Sequence, residues 1–100
     1  MFNKFFVGII FLLSSFFSIA QLHQITFQVD MTNEVISAQG VHIAGDFQSI
    51  AGLGGNWSPS STEVMDDNGD GIYSITVLIP DNTYEYKFIN GNAWGMDESP

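Results

Sequence analysis

The residues best suited to chemistry lie towards the C-terminal end. Tyr84-Glu85-Tyr86-Lys87-Phe88-Ile89 runs into Asn90-Gly91-Asn92-Ala93-Trp94. The aromatic residues alternate with Glu85, Lys87 and Ile89, the period of two that sends successive side chains to opposite faces of a sheet. One face reads as an aromatic core face and the other as solvated. Asn90-Gly91 has the chemistry of a hairpin turn, which would carry Trp94 back towards Lys87. A tryptophan, a lysine and an asparagine on the open side of a strand pair form a platform for a flat, hydroxyl-rich ligand. An indole face suits the apolar C–H face of a pyranose ring, while Lys87, Asn90 and Asn92 could meet hydroxyls at its edges.

Trp57 is the natural second member of such a platform. Tryptophan in a β-protein is commonly core. Both Trp57 and Trp94 nevertheless sit among Gly, Asn, Ser or Asp, without the apolar alternation that marks an inward position, and this predicts exposure.

The elements that must hold these residues follow from the order of the chain. Residues 1–20 have the pattern of an export signal: Lys4, then an apolar run from Phe5 to Phe17, then Ser18-Ile19-Ala20 as a small-residue end. That run is shorter than the roughly 20 residues needed to cross a bilayer, so cleavage after Ala20 and a secreted or cell-surface location are expected. Residues 21–100 are then the mature domain. Ile25 to Met31 alternates cleanly as a strand, and Val41 to Ala44 is a shorter one. Gln48 to Ser61, rich in Gly, Ser and Asn, reads as a long exposed loop; Glu63 to Met65 is a brief strand, and Ile72 to Ile79 another. No helical period appears after residue 20. Short strands separated by turn clusters predict an all-β, immunoglobulin-like antiparallel sandwich. A further closing strand is expected beyond Pro100, which would make this the N-terminal part of a longer secreted protein.

Charge and composition exclude several classes of function. The whole chain has 2 basic and 11 acidic residues. Removing residues 1–20 takes away Lys4 and no acid, leaving +1 − 11 = −10 with histidine neutral. Nucleic acids and anionic membranes are therefore poor partners, since their binding draws on Lys and Arg neutralising phosphates. Cysteine is absent, which removes disulfides and thiolate chemistry. His23 lies near the new N-terminus, and His42 alternates outward as a surface imidazole. No serine has a nucleophile motif, and Asp46, Glu63 and Glu85 have no spacing that pairs them as glycosidase carboxylates. No catalytic residue and no cofactor are expected.

Asp66-Asp67-Asn68-Gly69-Asp70-Gly71 resembles the opening of a calcium loop, with Asp66, Asn68 and Asp70 as the weak metal candidates. The twelfth position, which should be a bidentate Glu, is Val77. An EF-hand is excluded, and a solvated hairpin turn is the favoured reading.

The order Gly45-Asp46-Phe47, Asn56-Trp57, the acidic turn, Tyr84-Glu85-Tyr86-Lys87-Phe88 and Gly91-Asn92-Ala93-Trp94 resembles the starch- and glycogen-binding modules. These include the glycogen-binding domain of the AMP-activated kinase β subunit and the N-terminal modules of branching enzymes. The resemblance covers about Ile25 to Pro100. It implies that Trp57 and Trp94 stack on an α-glucan and that Lys87 bonds to it, with Asn90 and Asn92 placed less securely. In one departure, Ser49 to Gly55 lengthens the family's short segment between Phe47 and Trp57. The function expected is non-catalytic polysaccharide binding. The alternative is a structural or docking domain whose tryptophans pack against a downstream, possibly enzymatic, domain of the same chain.

Overall fold

The computed structural model describes residues 21–95; the expected export signal and the last five residues lie outside them. Five strands form where the sequence alternates: β1 (Leu22–Asp30), β2 (Val41–Gly45), β3 (Glu63–Val64), β4 (Ile72–Pro80) and β5 (Tyr86–Asn90). Every pairing is antiparallel. β1 pairs with β4 along its whole length, from Leu22 opposite Pro80 to Asp30 opposite Ile72. The second sheet has the order β3-β2-β5. The described chain is thus an all-β sandwich of two antiparallel sheets. β1 begins three residues before the expected start because Leu22 to Gln24 find partners on β4, a long-range gain that local alternation does not display.

The two sheets meet over apolar residues that share one face of each strand. Phe27, Val77 and Ile79 from the first sheet, and Val41, Ile43, Val64 and Phe88 from the second, are buried together with Met31 and Phe47. Phe27 is the hinge of this contact. Its ring lies 4.5 Å from Phe47 and 4.7 Å from Tyr86, the latter edge to face. On one side the sheets are stitched by Met65 and Ser74, which exchange backbone hydrogen bonds of 3.2 and 2.9 Å. On the other side β1 and β5 are both terminal strands of their sheets, and there Ile25 and Tyr86 remain 38% and 47% exposed. The expected aromatic core face of β5 is therefore closed at Phe88 but open to solvent at Tyr86. Tyr84 precedes β5, and its hydroxyl donates to Pro80 O at 2.7 Å, so this aromatic fixes the corner between β4 and β5.

The outer face of the second sheet differs from the sequence expectation. Alternation puts His42, Ala44, Lys87 and Ile89 on the face opposite the core. Ala44 and Ile89 are nevertheless completely buried and His42 nearly so, with its Nδ1 lacking a hydrogen-bond partner. His42 is not a surface imidazole: β2 is the central strand of its sheet, and all five of its residues are buried.

Gly45, the last residue of β2, is required by close approach. A methyl group on it would overlap the Glu85 carbonyl oxygen and come within 2.9 Å of Tyr86 Cβ. The same Glu85 oxygen accepts from Asp46 N at 3.1 Å, while Glu85 N donates to Asp46 Oδ1 at 2.9 Å. This reciprocal pair extends the β2–β5 ladder by one step. Gly45→Ala should push β5 away from β2 and destabilise the chain by about 1–3 kcal/mol, the usual cost of overpacking. A urea midpoint indistinguishable from the parent's would contradict that close approach.

Candidate functional site

Trp57, from the long loop after β2, and Trp94, from the turn after β5, come together across 37 positions of sequence. Their ring centroids are 6.4 Å apart and their planes are inclined by 39°. Trp57 is 37% exposed and Trp94 48%, so each keeps a substantial part of its ring in solvent. Two tilted, half-open indoles form an exposed aromatic surface rather than a core contact. Each ring supplies a flat apolar face with a negative quadrupole, suited to the C–H face of a sugar.

The position of Trp57 is built by the loop from Asp46 to Thr62. The sequence reads Gln48 to Ser61 as exposed and irregular; most of it is exposed, but Gln48 is buried, Ala51 and Leu53 pack against the core, and the flanking Phe47 and Thr62 are buried. Its first half winds back on itself: Ala51 N donates to Phe47 O at 3.0 Å and Leu53 N to Gln48 O at 2.8 Å. Asn56 Oδ1 accepts from Ser49 N at 2.8 Å, closing the lengthened segment across its neck. The lengthened segment thus folds back onto the core through Ala51 and Leu53, and Trp57 still reaches the sheet, with its backbone N–H on Gly45 O at 3.0 Å. Trp57 has φ of 58°, the only described non-glycine residue with positive φ. A bulky residue is rarely left in the left-handed region unless its surroundings enforce it.

The other expected site residues divide into two groups. Lys87 is exposed on β5, opposite Ala44, on the face away from Phe88. Asn92 is exposed in the turn that leads to Trp94. Asn90 is used differently. Its Oδ1 accepts from Ser37 N and its Nδ2 donates to Val35 O, both at 2.8 Å, so the carboxamide pins the loop before β2 instead of facing a ligand. The physical reason is register: Asn90 stands opposite Val41, on the side of the sheet opposite to Lys87. Sequence reasoning missed Gln48, a polar residue in a Gly- and Ser-rich stretch; its only signal was its place directly after Phe47.

The acidic turn spends its carboxylates on itself. Asp66 Oδ2 accepts from Gly71 N at 2.9 Å and Oδ1 from Asp70 N at 3.2 Å, while Asp70 Oδ1 accepts from Ile72 N at 3.1 Å. Among the described residues no three His, Asp or Glu side chains gather as a metal-binding group. The Gly71 hydrogen bond is the main cause holding the Asp66 carboxyl below its ordinary value of 3.8. A depressed folded-state value means that ionised Asp66 adds stability above 3.8, and that this is lost as pH falls through the folded value. The urea midpoint of Asp66→Ala should therefore lie below the parent's at neutral pH and converge on it in acid. A constant gap down to the acid limit would refute the assignment.

Comparison with known proteins adds the family. Residues 40–99 match the model of the pullulanase X25 domain. The chain belongs to that family. The matched stretch takes in Gly45, the whole Trp57 loop, β3 to β5 and Trp94, so the tryptophan pair lies wholly within the X25 domain. An amylopullulanase from Thermoanaerobacterium thermosulfurigenes is 44% identical over 54 residues, covering 52% of this chain and 3% of the relative. An amylopullulanase from Thermoanaerobacterium saccharolyticum is 46% identical over 54 residues, covering 52% of this chain and 4% of the relative. The chain thus spans only a small fraction of the length of these relatives. No solved structure matches it significantly. The family reached is that of a pullulanase domain, where the sequence resemblance had named the kinase β subunit and branching enzymes.

Proposed function

We propose that this X25 domain is a non-catalytic module that binds α-glucan, such as starch or glycogen, and holds a secreted protein on the polysaccharide. The observation that carries the reading is the tilted, half-exposed Trp57–Trp94 pair. The two relatives are amylopullulanases by name, which favours a glucan over other ligands with stackable rings. Trp57 and Trp94 stack on neighbouring glucose faces, Lys87 donates to ring or hydroxyl oxygens, and Asn92 reaches the rim. Lys87 is the only Lys or Arg in 21–100, and an uncharged polyol, unlike a polyanion, is not repelled by the surrounding acidic charge.

The benefit is one of concentration. A shallow site binds a single chain end weakly, but a module tethered to an enzyme or a surface raises the local concentration of polymer at its partner. Export by residues 1–20 is part of this proposal, as is the placing of any catalytic activity outside the 100 residues.

Affinity electrophoresis in gels containing soluble starch or glycogen tests the reading. The chain should be retarded relative to a gel without polysaccharide. A folded chain that migrates identically in every gel would remove the binding function and leave the docking role, in which the same tryptophans pack against a neighbouring domain.

A further inference from the structure

From the hydrogen bonds of one buried side chain we infer that Gln48 is the positioning residue of the platform, locking Trp57 in its left-handed conformation before any ligand arrives. Gln48 is completely buried, yet its carboxamide is fully engaged. Oε1 accepts from Gly45 N at 3.1 Å and from Ser58 N at 2.9 Å. Nε2 donates to Ser58 O and to Thr62 Oγ1, both at 3.0 Å, with Ile43 O at 3.5 Å as a third and weaker neighbour. The orientation of the amide is unambiguous, because turning it over would set an NH2 group against two N–H donors.

This pattern bears on Trp57 because of what it grips. Ser58, the residue after Trp57, has both its N–H and its C=O held by the one side chain, as a neighbouring strand would hold them. Trp57 itself is tied to Gly45 O. The backbone is thus fixed on both sides of the residue whose φ is 58°. A left-handed tryptophan is strained, and persists only where its surroundings over-determine it. Gln48 supplies that determination, and it compensates for the longer segment between Phe47 and Trp57, which would otherwise leave the ring on a mobile tether. A platform ordered in advance loses less conformational entropy on binding.

The inference rests on the glucan-binding reading for its purpose but not for its test. Two indoles 6.4 Å apart should give an exciton couplet in circular dichroism without any sugar present. Gln48→Met keeps an unbranched buried chain and removes all of these hydrogen bonds. Measured where this variant remains folded, the couplet should collapse towards that of Trp57→Ala, and any starch affinity of the parent should fall by about tenfold. A residue that merely stabilised the fold would lower the melting temperature and leave the couplet of the folded molecules intact; that result would overturn the proposal. The unmutated chain gives an independent reading should Gln48→Met fail to fold. The Ser58 amide should exchange with solvent at least about tenfold more slowly than an open-loop amide. Exchange at the open-loop rate would also overturn it. A Gln48-dependent couplet in a chain that ignores starch would sustain the positioning role while removing the ligand reading.

Discussion

Replacing either Trp57 or Trp94 by alanine is expected to abolish retardation by starch while leaving the sandwich folded. Both rings are only partly buried, and neither belongs to the cluster of Phe27, Ile43, Phe47, Val77, Ile79 and Phe88 that joins the sheets. Their removal should therefore cost less than that of a core aromatic, namely the partial area each ring buries and their mutual contact, the latter worth about 0.5–1.5 kcal/mol for an aromatic pair. Binding should respond far more strongly. Anchors of this kind contribute at least about 2 kcal/mol, or a factor of ~30 in affinity, and a shallow site has nothing to replace them. Because the rings neighbour each other, the two losses should not be additive: once one indole is gone the paired surface is gone, and the second substitution should add less than the first. Lys87→Ala should have a smaller effect, since it removes donors at the edge of a ligand still held by two faces. The measurement is mobility in graded concentrations of polysaccharide, with circular dichroism to confirm folding. Full retention of binding by a folded Trp57→Ala or Trp94→Ala chain would show that the pair is not the site.

How much of this was legible in the sequence depends on the range of the forces involved. The strands were readable because alternation is local: Phe27, Val29, Tyr73, Ile75, Val77 and Ile79 keep a period of two, and the Asp66–Gly71 turn carries its own hydrogen-bond acceptors. The tryptophan pair was readable from two residues in apolar-poor settings on either side of a strand set. The second covering of β2 was not. His42 alternates correctly to the outer face, but alternation does not say whether that face meets water, and here it is buried. Asn90 sits at a turn position that favours asparagine, and only the register of β5 against β2 shows that its amide points to Val35 and Ser37. Gln48 was the least legible. A single side chain can take over the backbone pairing of a loop, and nothing in a Gly- and Ser-rich stretch distinguishes that glutamine from a solvated one.

The residue just before Gln48 ties the site to the core, and Phe47→Ala is expected to have the largest effect on stability. Phe47 is completely buried, with its ring 4.5 Å from Phe27 at an interplanar angle of 31°. Phe27 also meets Tyr86, and Tyr86 meets Phe88 at 5.8 Å, so the ring of Phe47 ends a run of aromatic contacts that crosses from β1 to β5. Truncating it should cost about 3–5 kcal/mol through lost burial and the cavity left behind. A domain of this size has only about 4–11 kcal/mol of stability to lose, and with no cysteine it has no disulfide in reserve. A fall in the thermal midpoint of at least about 12 °C is expected at the usual 4–8 °C per kcal/mol for a domain of this length. The loss should also reach the platform. Phe47 O anchors the first turn of the loop through Ala51 N, and Gln48 is carried on the next residue, so a cavity at Phe47 loosens the support that orders Trp57. In the fraction still folded, the indole couplet should weaken along with stability. A midpoint lowered by less than about 4 °C, or about 1 kcal/mol, would mean that the loop is not anchored in the core at Phe47.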